Sequence, residues 1–284
     1  MIRDPVEWVP PYREEHNVPV PLHTTGKASF DDIYSRPDPC DYYARMSELD
    51  YRIPELAKPH LREQIAEYRA AAGTAPTVLD IGCSYGVNAA LLRLDTTLAE
   101  LAGSYTESVL GTGDLIARDR DRVRGAAALP GVRFIGMDAS APALDYARAA
   151  GLLDSVVHAD LEAADPTDEQ RAILATADLV ISTGCIGYVT EKTLVRIATA
   201  APDRRPWMAH FVLRMYGFGP IEAELDALGY HTRRMPGEFA QRRFASDSER
   251  EQVLDTLTTN GIDPGGLESE GRLYANLYVS RPGS

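Results

Sequence analysis

The stretch Thr77-Val78-Leu79-Asp80-Ile81-Gly82-Cys83-Ser84-Tyr85-Gly86-Val87-Asn88 constrains this chain more than any other. The apolar residues around Asp80 read as a short strand that ends beside a carboxylate. Gly82 and Gly86 permit a tight turn with close backbone approach, because glycine enters left-handed conformations without steric cost. A helix follows, so its unpaired N-terminal N–H groups face the turn. A dinucleotide turn needs G-x-G-x-x-G to seat a pyrophosphate on that terminus. Here three residues separate Gly82 from Gly86, and Asp80 sets a negative charge where phosphates would lie. That charge suits a ligand with cationic groups and opposes a diphosphate.

The chain beyond Gly73 alternates between strand and helix. Strands are expected at 77–81, 132–137, 155–158, 177–182 and 207–213. Helices are expected at 87–93, from the cap Ser140 towards 150, from the cap Thr190 to about 198, and at 221–228 before Gly229. Serine and threonine at those caps accept bonds from the first free N–H groups, and glycine stops a helix. Such alternation implies a parallel sheet covered on both faces. Two further strands, 231–244 and 272–280, flank a helix at 249–259.

The first 50 residues differ. Pro5, Pro10, Pro11, Pro19, Pro21, Pro37 and Pro39 alternate with Tyr12, Tyr34, Tyr42 and Tyr43. Proline breaks helices, so this is a loop-rich arm with short helices at most. Its aromatic content points to packing, with a lid over a site as one reading and a disordered tail as the other. Leu56, Leu61, Ile65 and Tyr68 define a helix over 54–72, which Pro59 is expected to kink or restart. The chain thus divides into an arm with its helix, 1–73, acting as a lid, and a main domain, 74–284. The first two strands are about fifty residues apart, where a βαβ unit needs about thirty. The excess, 94–129, reads as an inserted helical subdomain whose charged run 118–124 is a solvated face.

Two more acids stand where strands end. Asp138 follows Phe134-Ile135-Gly136-Met137 and precedes Ala139-Ser140, and Asp160 precedes Leu161. Any one of these acids is commonly a surface carboxylate; three at successive strand ends suit a nucleoside ligand. Together these residues resemble the class I S-adenosylmethionine-dependent methyltransferases. Val78 to Gly86 resembles their first motif, an acidic residue and three spaced glycines, with Ser84 in place of the central glycine. The resemblance covers Thr77 to the C-terminus and implies a Rossmann-like, seven-stranded, mostly parallel sheet closed by the antiparallel strand 272–280. It implies S-adenosylmethionine as cofactor, held by Asp80, Gly82, Cys83, Ser84, Gly86, Asn88, Asp138, Ala139, Asp160, Leu161 and Thr183. Asp80 would lie near the ammonium group, Asp138 would accept from the ribose hydroxyls, and Asp160 with Leu161 would meet the adenine. From the arm, Tyr34 and Arg52 are expected at the cofactor and Tyr43 at the substrate.

The loop Ser182-Thr183-Gly184-Cys185-Ile186-Gly187-Tyr188 would border the sulfonium and the acceptor. It lacks the Asn-Pro-Pro-aromatic signature of base methylation, the paired glutamates of arginine methylation and the aspartate of metal-dependent catechol-type enzymes. Tyr188 and His210 are the candidate polar partners or bases, although His210 lies within a strand, where a core histidine is the plainer explanation. Arg214 and Arg243, near the sixth strand's arginines, suggest an anionic substrate group; surface ion pairs are the alternative.

Composition narrows the classes. A net charge of -13 argues against nucleic acid, whose phosphates need Lys and Arg. No apolar run reaches the roughly 20 residues that span a bilayer, so no membrane partner is expected. The start of the chain has no basic, apolar leader, and Cys40, Cys83 and Cys185 read as reduced thiols, so a cytoplasmic location is expected. No zinc spacing is present, and no metal is expected. The expected function is methyl transfer to a small molecule, with room for a homodimer. A protein of the same fold that cyclises, decarboxylates or only binds, and an NAD-linked oxidoreductase, are the competing readings.

Overall fold

The computed structural model describes residues 31–283, so the arm residues expected before them lie outside the described residues. In chain order the elements are α1 (Asp31–Tyr34), α2 (Cys40–Glu48), α3 (Ile53–Ala72), β1 (Thr77–Ile81), α4 (Val87–Leu94), α5 (Leu98–Thr106), α6 (Thr112–Gly125), β2 (Arg133–Asp138) and α7 (Ala141–Ala149). Then follow β3 (Ser155–His158), α8 (Asp168–Leu174), β4 (Leu179–Thr183), α9 (Glu191–Ala198), β5 (Trp207–Leu213), α10 (Gly219–Ala227), β6 (Tyr230–Arg234), β7 (Phe239–Arg243), α11 (Asp247–Thr259) and β8 (Arg272–Pro282).

The strands form one Rossmann-like sheet in the order β3-β2-β1-β4-β5-β8-β6, with β7 also on β8. β1 to β5 pair in parallel, and β8 is antiparallel to β5, β6 and β7. β1 and β4 are almost wholly buried, as parallel strands covered on both faces must be. One face carries Val78, Phe134, Ile181 and Phe211 under Leu61 and Ile65 of α3, Leu91 of α4 and Leu144 of α7. The other carries Leu79, Ile135, Val180 and Met208 under Leu174 of α8, Leu194 of α9 and Leu225 of α10. The winding reverses between β1 and β4, and open α/β sheets bind ligands in the crevice at such a point.

Several expectations need correction. Among the described residues the sheet has eight strands, because the expected strand 231–244 is interrupted. Arg234 lies opposite Tyr278 and Phe239 opposite Ala275, so β6 spends two extra residues before β7 resumes along the same edge of β8. A bulge between Ala240 and Arg242 adds one more irregularity. Pro59 sits inside α3 without restarting it; Pro54 occupies the first turn, where its missing N–H costs nothing. The charged run 118–124 is not wholly solvated: Asp119 is 1% exposed. It accepts hydrogen bonds from Tyr105 at 2.6 Å and Tyr146 at 2.7 Å and pairs with Arg118, which satisfies the buried charge. α8 went unexpected, although Thr167 and Gln170 form a capping box at its start.

The insertion and the arm meet. Tyr43 of α2 stacks on Tyr105 of α5 with ring centroids 4.7 Å apart and planes within 3°. The Tyr85 hydroxyl donates to the carbonyls of Ile33 and Arg36, and the Ser140 hydroxyl to that of Tyr34. Residues 31–36 therefore lie across the turns that follow β1 and β2.

Candidate functional site

The turn after β1 is built as its glycines imply. Gly82 has φ +65° and Gly86 φ +75°. A Cβ on Gly82 would stand 2.8 Å from Cβ of Cys185, so glycine lets the loop after β4 close onto the turn. Ser84, where the resembled motif has glycine, also adopts a left-handed conformation, φ +50°. Its backbone N–H donates to Asp138 Oδ2 at 2.8 Å, which ties the turn to the end of β2. Asp138 Oδ1 accepts from the Ser140 N–H at 2.9 Å, so one carboxylate holds two successive turns. The Ser84 hydroxyl is buried without a partner.

Asp80 is the main electrostatic feature. It is fully buried, and Asn88 Nδ2 donates to its two oxygens at 3.0 and 3.2 Å. The same amide nitrogen reaches Thr183 Oγ1 at 3.0 Å, linking β1, α4 and β4 across the switch point. No lysine or arginine among the described residues pairs with Asp80. Burial pushes its carboxyl up to about 7; the Asn88 bond opposes the rise and the Asp138 charge adds to it. Asp138 is raised for the same first reason, with the N–H groups of Ser140 and Ser84 opposing it. Burial also raises the Cys83 thiol, whose sulfur fits beneath the turn because Gly136 on β2 has no side chain.

The structure thus brings Asp80, Gly82, Cys83, Ser84, Gly86, Asn88, Asp138 and Thr183 to one crevice. Ala139 is exposed at its rim, with its carbonyl 3.0 Å from His158 Nε2. Asp160 is exposed at the end of β3, where its carboxylate accepts the N–H groups of Glu162 and Ala163. Leu161 differs from expectation. It turns inward, 3% exposed, into the core with Met137 and Val157, because an apolar side chain gains by leaving water.

The expected catalytic and substrate residues are largely redistributed. Register sets Asp80 beside Ile181 on one face and Ser182 beside His210 on the other, so His210 cannot serve the Asp80 crevice. His210 is fully buried, bonded through Nδ1 to Ser182 Oγ at 2.8 Å, and desolvation lowers its pKa to about 3. It is a neutral core histidine. Tyr188 stays in the loop after β4, but burial holds its phenol well above the ordinary value, so it is a donor and not a base. Arg214 is engaged by Glu268 and by the Asp263 carbonyl. Arg243 is exposed and donates to the Glu48 carbonyl at 2.7 Å. Arg242, its neighbour, is buried in a two-bond pair with Glu249 at 2.8 and 2.6 Å. Arg52 faces solvent in a pair with Asp50 at 2.8 Å, and Tyr43 packs on the insertion. Arg214, Arg234 and Arg242 are thus paired with carboxylates of the chain itself, whereas Arg243 meets only a backbone carbonyl among the described residues.

Two residues missed in the sequence stand at the site instead. Tyr51 donates to the Thr183 carbonyl at 3.4 Å, and burial raises its phenol, with Tyr34 and the Asp80 charge adding to the rise. Gln241, at the β7 bulge, is 2% exposed beside Gly184. The Tyr34 carbonyl accepts from the Ser140 hydroxyl at the turn after β2.

No protein-family model matches the chain, and no curated protein sequence matches it. Solved structures do. Precorrin-6y C5,15-methyltransferase from Geobacter metallireducens GS-15 aligns at 11% identity over 73% of this chain and 80% of its own, with TM-score 0.37. Magnesium protoporphyrin IX methyltransferase from Synechocystis PCC 6803, with bound SAM, aligns at 14% over 79% of each chain, TM-score 0.38. Precorrin 8W decarboxylase of Methanobacterium thermoautotrophicum aligns at 15% over 78% of this chain and 90% of its own, TM-score 0.36. Likeness this distant assigns neither activity nor substrate to this chain.

Proposed function

We propose that this chain binds S-adenosylmethionine at the β1–β4 switch point and transfers its methyl group to a small molecule. One observation carries the reading: a fully buried carboxylate, Asp80, with an amide donor but no cationic partner, lines the crevice where such sheets take ligands. An uncompensated buried carboxylate is costly, and a cationic ligand relieves that cost. The unpartnered Ser84 hydroxyl supports the fit, as a polar atom buried without a use in the protein itself.

The donor, when bound, supplies an activated methyl group on a sulfonium. The chain's own residues have three tasks. Asp80, oriented by Asn88, offsets positive charge. Asp138 fixes the glycine turn and the turn after β2, with lone pairs left for ribose hydroxyls. Tyr34, Tyr51 and Tyr188 border the crevice and exclude water, the arm from residue 31 acting as a lid. With His210 on the other face and Tyr188 protonated, the chemistry rests on alignment more than on proton removal. The pairing of Arg214 and Arg242 with Glu268 and Glu249 weakens the support for an anionic acceptor. Cys40, Cys83 and Cys185 are in no disulfide among the described residues, which supports a reducing, cytoplasmic setting.

Calorimetric titration with S-adenosylmethionine and with NAD tests the reading. Binding of the first and not the second is expected; the reverse overturns it. Incubation with methyl-labelled donor and candidate acceptors then separates transfer from cyclisation, decarboxylation or binding alone.

A further inference from the structure

We infer that Gln241 is the acceptor-recognition residue, and that it selects a neutral substrate carrying a hydroxyl or N–H donor. The inference rests on the methyl-transfer reading for the location of the acceptor, but its observations are separate. The bulge between Ala240 and Arg242 turns two consecutive side chains inward, and both Gln241 and Arg242 are 2% exposed. Arg242 is committed to Glu249. The Gln241 amide has no such commitment: its Oε1 is buried with no hydrogen-bond partner. A buried acceptor left unpaired in a folded chain is destabilising and calls for a use.

Its position identifies the use. A Cβ on Gly184 would stand 2.2 Å from Gln241 Nε2, so the missing side chain at 184 forms the notch that admits the amide. Gly184 follows Thr183, whose hydroxyl meets Asn88 and through it Asp80. The backbone of Gln241 is fixed at the same place, since its carbonyl accepts the Arg52 N–H at 2.7 Å beside Tyr51. The amide therefore lies against the loop after β4, one residue from Thr183 at the switch point. A carbonyl oxygen there accepts from a protic group. Two nearby arginines, Arg214 and Arg242, are paired with Glu268 and Glu249, and Arg243 is turned outward to solvent, so among the described residues no buried cation beside the amide is left to match an anionic group. A site built to accept a hydrogen bond rejects the analogue that lacks the donor, because the oxygen is again left unpaired.

The test uses the full chain saturated with S-adenosylhomocysteine, with benzyl alcohol, benzyl methyl ether and benzoate as probes in ligand-observed NMR. Wild type should bind the alcohol at least threefold better than the ether or benzoate. Gln241→Met, similar in length but without the acceptor, should remove that preference. It should keep the melting temperature at or above wild type, because an unpaired acceptor is lost. A preference that survives in the variant, tightest binding by benzoate, or binding of none of the three overturns the inference. Failure of the methyl-transfer reading shows separately, as absence of S-adenosylhomocysteine binding in the calorimeter.

Discussion

Asp80→Asn isolates the charge on which this account turns. Burial holds the folded carboxyl at about 7 against an ordinary 3.8, so the folded chain binds that proton more tightly than the unfolded chain does. The carboxyl therefore penalises folding as pH rises above 3.8, and the penalty grows until pH passes about 7. At about 1.4 kcal/mol per pH unit the ceiling is about 4 kcal/mol, of which about 2–3 kcal/mol accumulates between pH 5 and pH 8. Asparagine keeps an acceptor for Asn88 but cannot ionise. Its own amide nitrogen needs an acceptor and costs about 1–3 kcal/mol at every pH, a constant that cancels between two pH values. Urea unfolding of both proteins at pH 5 and pH 8 measures the difference. The variant should gain about 2–3 kcal/mol on wild type across that interval. A gap between the two proteins that is the same at both pH values would refute the buried-carboxylate argument.

Three further substitutions test the placement of residues. Gly184→Ala adds a Cβ against the Gln241 amide at a φ of +111°, so it should cost about 1–3 kcal/mol and lower the melting temperature by about 3–10 °C; an unchanged melting curve contradicts the notch. Glu249→Ala leaves Arg242 buried without its partner and should cost about 3–5 kcal/mol in urea unfolding; a loss below about 1 kcal/mol contradicts the pairing. His210→Phe alters the core beneath α10 but lies across the sheet from Asp80, so the Kd for S-adenosylmethionine should stay within about twofold by calorimetry, whatever happens to stability; a tenfold loss returns His210 to the site.

Much of the sheet was legible because its signals are local. The β1 turn, the caps Ser140 and Thr190, and the buried strands each depend on neighbours in sequence, and all recur in the structure. The acids at the ends of β1 and β2 were legible for the same reason. What stayed hidden depends on partners far along the chain. Arg214 and Arg243 looked available because Glu268, some fifty residues away, and the Glu48 carbonyl, nearly two hundred away, are invisible to spacing. His210 looked eligible because a strand's period places side chains on alternate faces but does not say which face holds the site. Gln241 carries no sequence signal at all. The bulge that turns it inward is a property of pairing with β8, not of the residues 239–243 themselves.

The central claim meets its most direct test in calorimetric titration with S-adenosylmethionine at pH 6 and pH 8, in two buffers of different ionisation heat. If a cation binds the ionised form of a carboxyl that titrates at about 7, affinity should rise about tenfold from pH 6 to pH 8, and nearly one proton should leave the protein per ligand bound at pH 6. Equal affinity at both pH values with no proton released, or no binding at either, would contradict it.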